Sequence, residues 1–233
     1  MIKAIVFDFD GVIVDSEPLH YRAFLKTAQS QGVPVDFGYD EYLHKYVGYD
    51  DRDGFRAMIE SVDARAVAAA DFPAKLKHLC DRKEHVFKEI VEAGFETIPG
   101  VLDFIAGLPR DLPIAIASGA TRADIELILS KLGIKPRFST IVTASDVARS
   151  KPDPQTYRAA FAGLQRKFND GELQPQHVVA IEDTAAGIES ARGAGLHTLG
   201  LTTTTDGTGL GRASRVIPSL VGLTLEEVQK WFG

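Results

Sequence analysis

The sequence predicts an α/β fold: a doubly wound parallel sheet with a small all-helical domain inserted after the first strand. Three observations predict it. The apolar, β-branched run Ala4–Phe9 has the composition of a strand buried on both faces, as in a parallel sheet. From Ser16 to about Gly94 no convincing strand pattern occurs, only helical periodicity. From Ile98 onward, apolar strand candidates return and alternate with helical stretches, which implies right-handed crossovers between parallel strands.

The first strand ends in Asp8-Phe9-Asp10-Gly11. Residues i and i+2 of a strand share a side, so Asp8 and Asp10 are expected to face the same way, with Gly11 permitting a sharp bend. Two carboxylates about 4 Å apart repel by roughly 4 kcal/mol at an effective dielectric of 20. A cation, a basic side chain or a shared proton must offset that cost.

The insertion carries three apolar helical faces: Leu19, Ala23, Phe24 and Thr27; Phe55, Met58, Ile59 and Val62; and Leu76, Leu79, Val86, Ile90 and Val91. The expected division is a core domain of residues 1–15 plus 96–233 and a helical domain of 16–95, joined near Val14–Pro18 and Gly94–Pro99. The later strands are expected at Pro113–Ala117, Thr140–Thr143, Val178–Ile181, Thr198–Leu201 and Arg215–Ile217. Helix starts are marked by Thr121 with Asp124, by Thr224 with Glu227, and by Asp153-Pro154 as N-cap and first helical residue. The run Gly207-Thr-Gly209-Leu-Gly211 lacks the spacing of a nucleotide loop and reads as a flexible connection.

Composition excludes several classes. With 45% hydrophobic and 25% charged residues over 233 positions, the chain is an ordinary globular protein. A net charge of -6 argues against a nucleic-acid surface and leaves room for a small anionic ligand at a local site. The lone Cys80 forms no internal disulfide, no cleavable leader is visible, and no apolar run approaches a membrane span. A cytoplasmic protein is expected. Nothing in the sequence sets an oligomeric state, and a monomer is the default.

Ligands of open parallel sheets bind beyond the carboxyl ends of the strands. Those ends carry Asp8 and Asp10, then Ser118-Gly119, then Glu182-Asp183, with Lys151 in the segment after the Thr140–Thr143 strand. Oxygen ligands suit a hard cation such as Mg²⁺, a lysine and a hydroxyl suit phosphoryl oxygens, and aspartates can attack phosphorus. Singly, each residue has an ordinary structural role as a cap, a turn or a solvated lysine. Their convergence is what points to chemistry. His44, His78, His85, His177 and His197 show no metal-ligand spacing.

In this order the residues resemble the haloacid dehalogenase-like superfamily of phosphotransferases. Its first motif is matched by Asp8 to Asp15, its strand-closing Ser/Thr by Ser118, its Lys-Pro by Lys151-Pro152, and its acidic pair by Glu182-Asp183. The resemblance spans essentially the whole chain and implies a Rossmann-like core with a helical cap. It further implies that Asp8 is the nucleophile that forms an aspartyl-phosphate and that Asp10 is the general acid and base. Ser118 and Lys151 would hold the phosphoryl oxygens. Mg²⁺ would be held by Asp8, the backbone carbonyl of Asp10 and Asp183, with Glu182 near or in the shell.

Val14–His20 and Ser150–Pro154 also resemble the branch that contains β-phosphoglucomutase and small sugar-phosphate phosphatases. That branch implies a Mg²⁺-dependent phosphatase of a small phosphorylated metabolite, with a hexose-phosphate mutase as the alternative. A dehalogenase is disfavoured by the presence of Asp10, and a signalling receiver domain by the long insertion. Specificity is expected from the insertion. Its loop 44–52, centred on Gly48, resembles the family's specificity loop, but Asp51 stands where the mutase has a phosphate-gripping arginine, and Gly119-Ala120-Thr121-Arg122 also departs from the mutase. Candidate substrate contacts are His20, Lys45, Arg52, Gly119 and Arg122.

Overall fold

The computed structural model describes residues 1–47, 49–168, 171–204 and 207–233. Gly48, the centre of the loop 44–52, lies outside the described residues. Ala-Ile-Val-Phe, completely buried, forms β1 (Ala4–Phe7). It is followed in the sheet by β2 (Ile114–Ala117), β3 (Phe138–Val142), β4 (Val178–Glu182), β5 (His197–Leu201) and β6 (Arg215–Ile217). Helices α1 (Glu17–Ser30), α2 (Tyr39–Lys45), α3 (Asp51–Val62) and α4 (Phe72–Ala93) lie between β1 and β2. Then come α5 (Val101–Gly107), α6 (Arg122–Lys131), α7 (Gln155–Gln165), α8 (Ala185–Gly193) and α9 (Leu225–Phe232).

The strands are parallel throughout, in the order β3-β2-β1-β4-β5-β6. Alternate residues supply the two faces. Ala4, Val6, Ala115, Ala117, Val178 and Ala180 pack with Tyr157, Ala160 and Leu164 of α7 and Ala191 of α8. The alanines on this face let the helices come close. On the other face Phe7 meets Phe104 of α5 at 6.2 Å and Phe138 at 6.1 Å between ring centroids. Burial on both faces, complete in β1, β2 and β4, explains why these strands lack polar alternation; the edge strands β3 and β6 are only partly buried.

The first strand is two residues shorter than the apolar run suggests. The amide of Asp8 still donates to the Ile181 carbonyl at 2.9 Å, but the backbone then turns, and the amides of Ile13 and Val14 both return to the Phe9 carbonyl. Asp8 and Asp10 therefore do not alternate along a strand: Asp8 is buried at its end, and Asp10 is half-buried in the turn. Gly11 takes φ +70° there, and any side chain on it would strike Asp183 and Thr204.

Helix starts follow the cap chemistry. Thr121 accepts from the Asp124 amide, and Thr224 and Glu227 cap each other reciprocally. At α7 the start falls one residue later than expected: Pro154 is the N-cap residue, and the Asp153 carboxylate accepts from the Gln155 amide at 3.1 Å. The Asp153 amide is engaged in a turn with the Ser150 carbonyl, which delays the helix. The 207–211 run leads into a 3-10 turn, Leu210–Arg212, in which Leu210 is buried.

The chain divides into two compact units, Met1–Asp15 with Glu96–Gly233, and Ser16–Phe95. Where the chain leaves and re-enters the sheet-bearing unit, Val14 and Thr97 form an antiparallel bridge. The Asp15 amide donates to Glu96 and the Ile98 amide to Ile13. The helical unit has its own core, including Phe24, Tyr42, Phe55, Met58, Leu76 and Leu79. Val62, expected on its inner face, is exposed. Lys83 instead sits in the apolar stripe of α4, 2% exposed. Its ammonium lies 4.2 Å from the centroid of the Phe24 ring, pairs with Asp51 and reaches His20 Nδ1 at 3.1 Å. Those partners offset the cost of burying the charge. Among the described residues, no helix is long and apolar enough to cross a membrane.

Helix α7 packs closely on β3. A Cβ on Gly163 would lie 2.6 Å from Thr140 Cγ2. Gly163→Leu is therefore expected to push α7 off the sheet and cost about 1–3 kcal/mol. Thermal unfolding would register a drop of about 2–4 °C per kcal/mol. An unchanged midpoint would show that the seam has room to spare.

Candidate active site

The strand order reverses direction between β1 and β4, and the carboxyl ends at such a switch point are the usual ligand position in open parallel sheets. Asp8 follows β1, Glu182 closes β4, and Asp183 comes next. All three carboxylates are buried, and one oxygen from each lies within 4.8 Å of the others. Ser118, also buried, follows β2 beside β1. Its amide donates to Val142, and its Oγ accepts from the Ala120 amide at 3.0 Å.

Lys151 arrives from the segment before α7, across a cis peptide bond to Pro152. Its Nζ lies 2.7 Å from Asp8 Oδ1 and 2.6 Å from Glu182 Oε1. Tyr157, fully buried on α7, donates its hydroxyl to the same Oε1 at 2.8 Å. The other oxygen of Glu182 accepts from the amides of Asp183 (3.1 Å) and Thr184 (3.2 Å) and from the Thr184 hydroxyl (3.0 Å). Gly187 lets α8 begin against this carboxylate, because a side chain there would overlap it. A carboxylate offers about four lone-pair directions, and five donors already converge on Glu182.

Charge in this enclosure is unevenly shared. Burial opposes ionisation of Glu182, yet Lys151 and the hydrogen bonds hold its carboxyl below the usual range. Asp8 goes the other way: burial, then the charge of Glu182, push its carboxyl well up despite Lys151. Burial and Glu182 likewise push Asp183 up to about 7. Burial would lower Lys151, but Asp8 and Glu182 together raise it above the ordinary lysine value. One cation thus serves three buried carboxylates, and the deficit falls on Asp8 and Asp183.

These same two residues carry the unsatisfied oxygens. Asp183 Oδ1 is buried with no hydrogen-bond partner, while its Oδ2 accepts from the Thr204 hydroxyl. Asp8 Oδ1 has the Lys151 ion pair but no well-angled hydrogen bond. Buried orphan carboxylate oxygens in an anionic enclosure fit a divalent metal ion with a preference for oxygen. Although Glu182 is near enough to join such a group, its oxygens are already spent on donors, so Asp8 and Asp183 are the better ligands.

The remaining sequence candidates lie apart from this cluster or in the other unit. Asp10 stands two residues on from Asp8 in the turn, and its charge contributes to raising the Asp8 carboxyl. Gly119 is exposed beside Ser118. Arg122 is engaged with the Ile141 carbonyl at 3.0 Å and Asp146 at 2.8 Å. In the helical unit, Lys45 pairs with Glu41 at 2.7 Å and Arg52 is exposed on α3. His20 stacks on Phe87 at 4.6 Å, and burial and Lys83 push its pKa well down. With Lys83 donating to Nδ1, the proton of the neutral ring sits on Nε2.

Sequence reasoning missed Tyr157, Thr204 and Lys83. Tyr157 belongs to an apolar helix face, where an aromatic residue passes for core packing; the signal was its hydroxyl, which needs a partner when buried. Thr204 follows β5 and could have been flagged by the strand-end rule that found the acids. Lys83 interrupts an otherwise apolar stripe at helical spacing.

The chain is similar to known proteins along most of its length. The family model described as haloacid dehalogenase-like hydrolase matches residues 5–201. A phosphorylated carbohydrates phosphatase of Thermotoga maritima is 29% identical over 199 residues, 84% of this chain and 82% of its own length. A β-phosphoglucomutase of Bacillus subtilis is 28% identical over 204 residues, covering 86% and 83% of the two chains. The crystal structure of a mutant of CbbY from Rhodobacter sphaeroides in complex with xylulose-(1,5)-bisphosphate superposes with a TM-score of 0.79 at 26% identity, over 97% of this chain and 98% of that one. The strand order, the buried acids at the switch point and the extent of the family match converge on one assignment: this chain belongs to the haloacid dehalogenase-like hydrolase family.

Proposed function

We propose that this protein is a Mg²⁺-dependent phosphatase that hydrolyses a small phosphorylated metabolite, a sugar phosphate or a close relative, through an aspartyl-phosphate on Asp8. The observation that carries the reading is the pairing of a buried Asp8 with Lys151, beside the orphan oxygen of Asp183, at the strand-order switch point. The phosphatase and mutase relatives of similar length support it.

In this reading an Asp8 oxygen attacks phosphorus, the ester P–O bond breaks, and Asp10 gives a proton to the departing alkoxide. Asp10 then takes a proton from water, which attacks the phosphorus of the aspartyl-phosphate, and Asp8 leaves as carboxylate with inorganic phosphate as product. Lys151 and the Ser118 hydroxyl hold the phosphoryl oxygens, where preorganised donors contribute most of the acceleration. Asp8, the Asp10 carbonyl and Asp183 would hold Mg²⁺, which supplies positive charge to offset the buried acids and the phosphoryl group. The helical unit, acting as a cap, would supply substrate specificity.

Hydrolysis is favoured over mutase action by Asp51, which stands where the mutase has a phosphate-gripping arginine and which here pairs with buried Lys83. The choice is tested with glucose 1-phosphate, Mg²⁺ and a trace of glucose 1,6-bisphosphate. Phosphate release with little isomerisation is expected; glucose 6-phosphate appearing much faster than phosphate would establish the mutase.

Asp8→Asn is expected to abolish p-nitrophenyl phosphate turnover while leaving circular dichroism unchanged, and Asp10→Asn to remove most of it. Near-normal turnover by a clean Asp8→Asn preparation would overturn the mechanism.

Metal binding should depend on pH with a definite sign. In the metal-free protein the Asp183 carboxyl titrates at about 7, so protons and Mg²⁺ compete for it below that pH. Mg²⁺ affinity measured by calorimetry should fall as pH drops through 7 toward 5.5, approaching about tenfold per pH unit for each proton displaced. Asp183→Asn should weaken binding at all pH values; an unchanged metal titration would remove Asp183 from the metal site.

A further inference from the structure

We infer that Tyr157 is a positioning residue for phosphoryl transfer, acting through Glu182 to aim the ammonium of Lys151. The inference rests on the reading above that Lys151 holds the phosphoryl oxygens. Tyr157 lies fully buried in the face of α7 that covers the sheet, and its ring packs among alanines and Leu164. Packing alone would be served as well by phenylalanine. The hydroxyl instead ends at Glu182 Oε1, the same oxygen that takes Lys151 Nζ.

The geometry makes Glu182 a fixed anvil rather than a mobile acid. Its Oε2 is held by two backbone amides and one hydroxyl, which sets the position of the carboxylate group. Tyr157 then decides how Oε1 is shared. With the phenol hydrogen bond present, Oε1 has a second donor and Lys151 remains divided between Glu182 at 2.6 Å and Asp8 at 2.7 Å. Without it, the fully buried Oε1 has Lys151 as its sole donor among the described residues, and the ammonium is drawn toward Glu182 and away from Asp8. Lys151 also lies 5.3 Å from the centroid of the Tyr157 ring, so the ring limits the ammonium's path on one side while the hydroxyl governs its partner. Hydrogen bonds to charged groups are among the stronger ones, and the displaced group would be the cation of the reacting site.

The test is Tyr157→Phe, which keeps the ring, the packing and the cation–π contact and removes the hydroxyl alone. With saturating Mg²⁺, kcat for p-nitrophenyl phosphate should fall by about tenfold, inhibition by orthovanadate should weaken by a similar factor, and KM should change by less than about twofold. 4-Aminophenylalanine at position 157 restores a donor at the ring's far end and should recover kcat to within about twofold of the wild type. In a Lys151→Ala background, Tyr157→Phe should cost little further vanadate affinity, because the route through Lys151 is already gone. A lowered unfolding midpoint with wild-type kcat and vanadate inhibition would make Tyr157 purely structural and overturn the proposal. Losses that simply multiply in the double variant would also overturn it, and so would failure of 4-aminophenylalanine to restore turnover, even if Tyr157→Phe cannot be obtained folded. Lys151→Ala serves as the control on the underlying reading. If that variant turns over normally, the proposed role of Lys151 fails and this proposal with it; if it is impaired while Tyr157→Phe is not, the proposal fails alone.

Discussion

The structure depends on one constraint: among the described residues, three carboxylates are buried at the ends of two adjacent strands with a single lysine among them. Such a grouping is costly in a medium of low polarity, and each part of its surroundings reduces that cost. Lys151, with the Tyr157 hydroxyl and the backbone amides before α8, holds Glu182 ionised against its burial. Asp8 and Asp183 receive far less help, and their carboxyls are displaced upward accordingly. The site is therefore asymmetric. One acid is satisfied by the protein, and two keep a buried oxygen without a hydrogen-bond partner among the described residues.

The surrounding fold follows from keeping this asymmetry in register. The β1–β4 pairing aligns Phe7 with Ile181, which puts Asp8 beside Glu182. Gly11 turns the chain with no side chain in the way of Asp183 and Thr204. Thr203, just before Thr204, donates to the Gly11 carbonyl at 2.5 Å, so the segment after β5 holds both the turn and the acid. Four regions far apart in the chain meet there because a parallel sheet gathers its strand ends on one edge.

That edge is also why much of the molecule could be read from the sequence. Strands buried on both faces are unbroken apolar runs, and the polar residues that interrupt them at one end stand out: Asp8, Ser118, Glu182 and Asp183 were all visible as breaks. Helix starts were visible where a side chain caps a backbone amide, as at Thr121 and Thr224. What escaped was pairing. No local pattern says that Tyr157 shares an oxygen with Lys151, that Thr204 meets Asp183, or that Lys83 turns inward to Asp51 and two aromatic rings. Periodicity assigns a residue to a face, and a lysine or tyrosine on an apolar face carries no mark of the partner that permits it. The length of β1 was misjudged for a related reason: Phe9 is buried, but by a turn rather than by a strand.

The paired crossing at Val14 and Thr97 has a consequence for how such a chain can change. Because the outgoing and returning backbones are hydrogen-bonded side by side, whatever is threaded between Asp15 and Glu96 begins and ends at nearly one point. Loop-closure entropy grows by only about 0.6 kcal/mol for each doubling of length, so the sheet-bearing unit is almost indifferent to how much chain is inserted there. A short loop, a different small domain with adjoining termini, or a rearranged helical one could be exchanged at this socket while the register of β1 with β2 and β4 stayed intact. The buried acids at the strand ends and the inserted helices can thereby change separately along a single polypeptide.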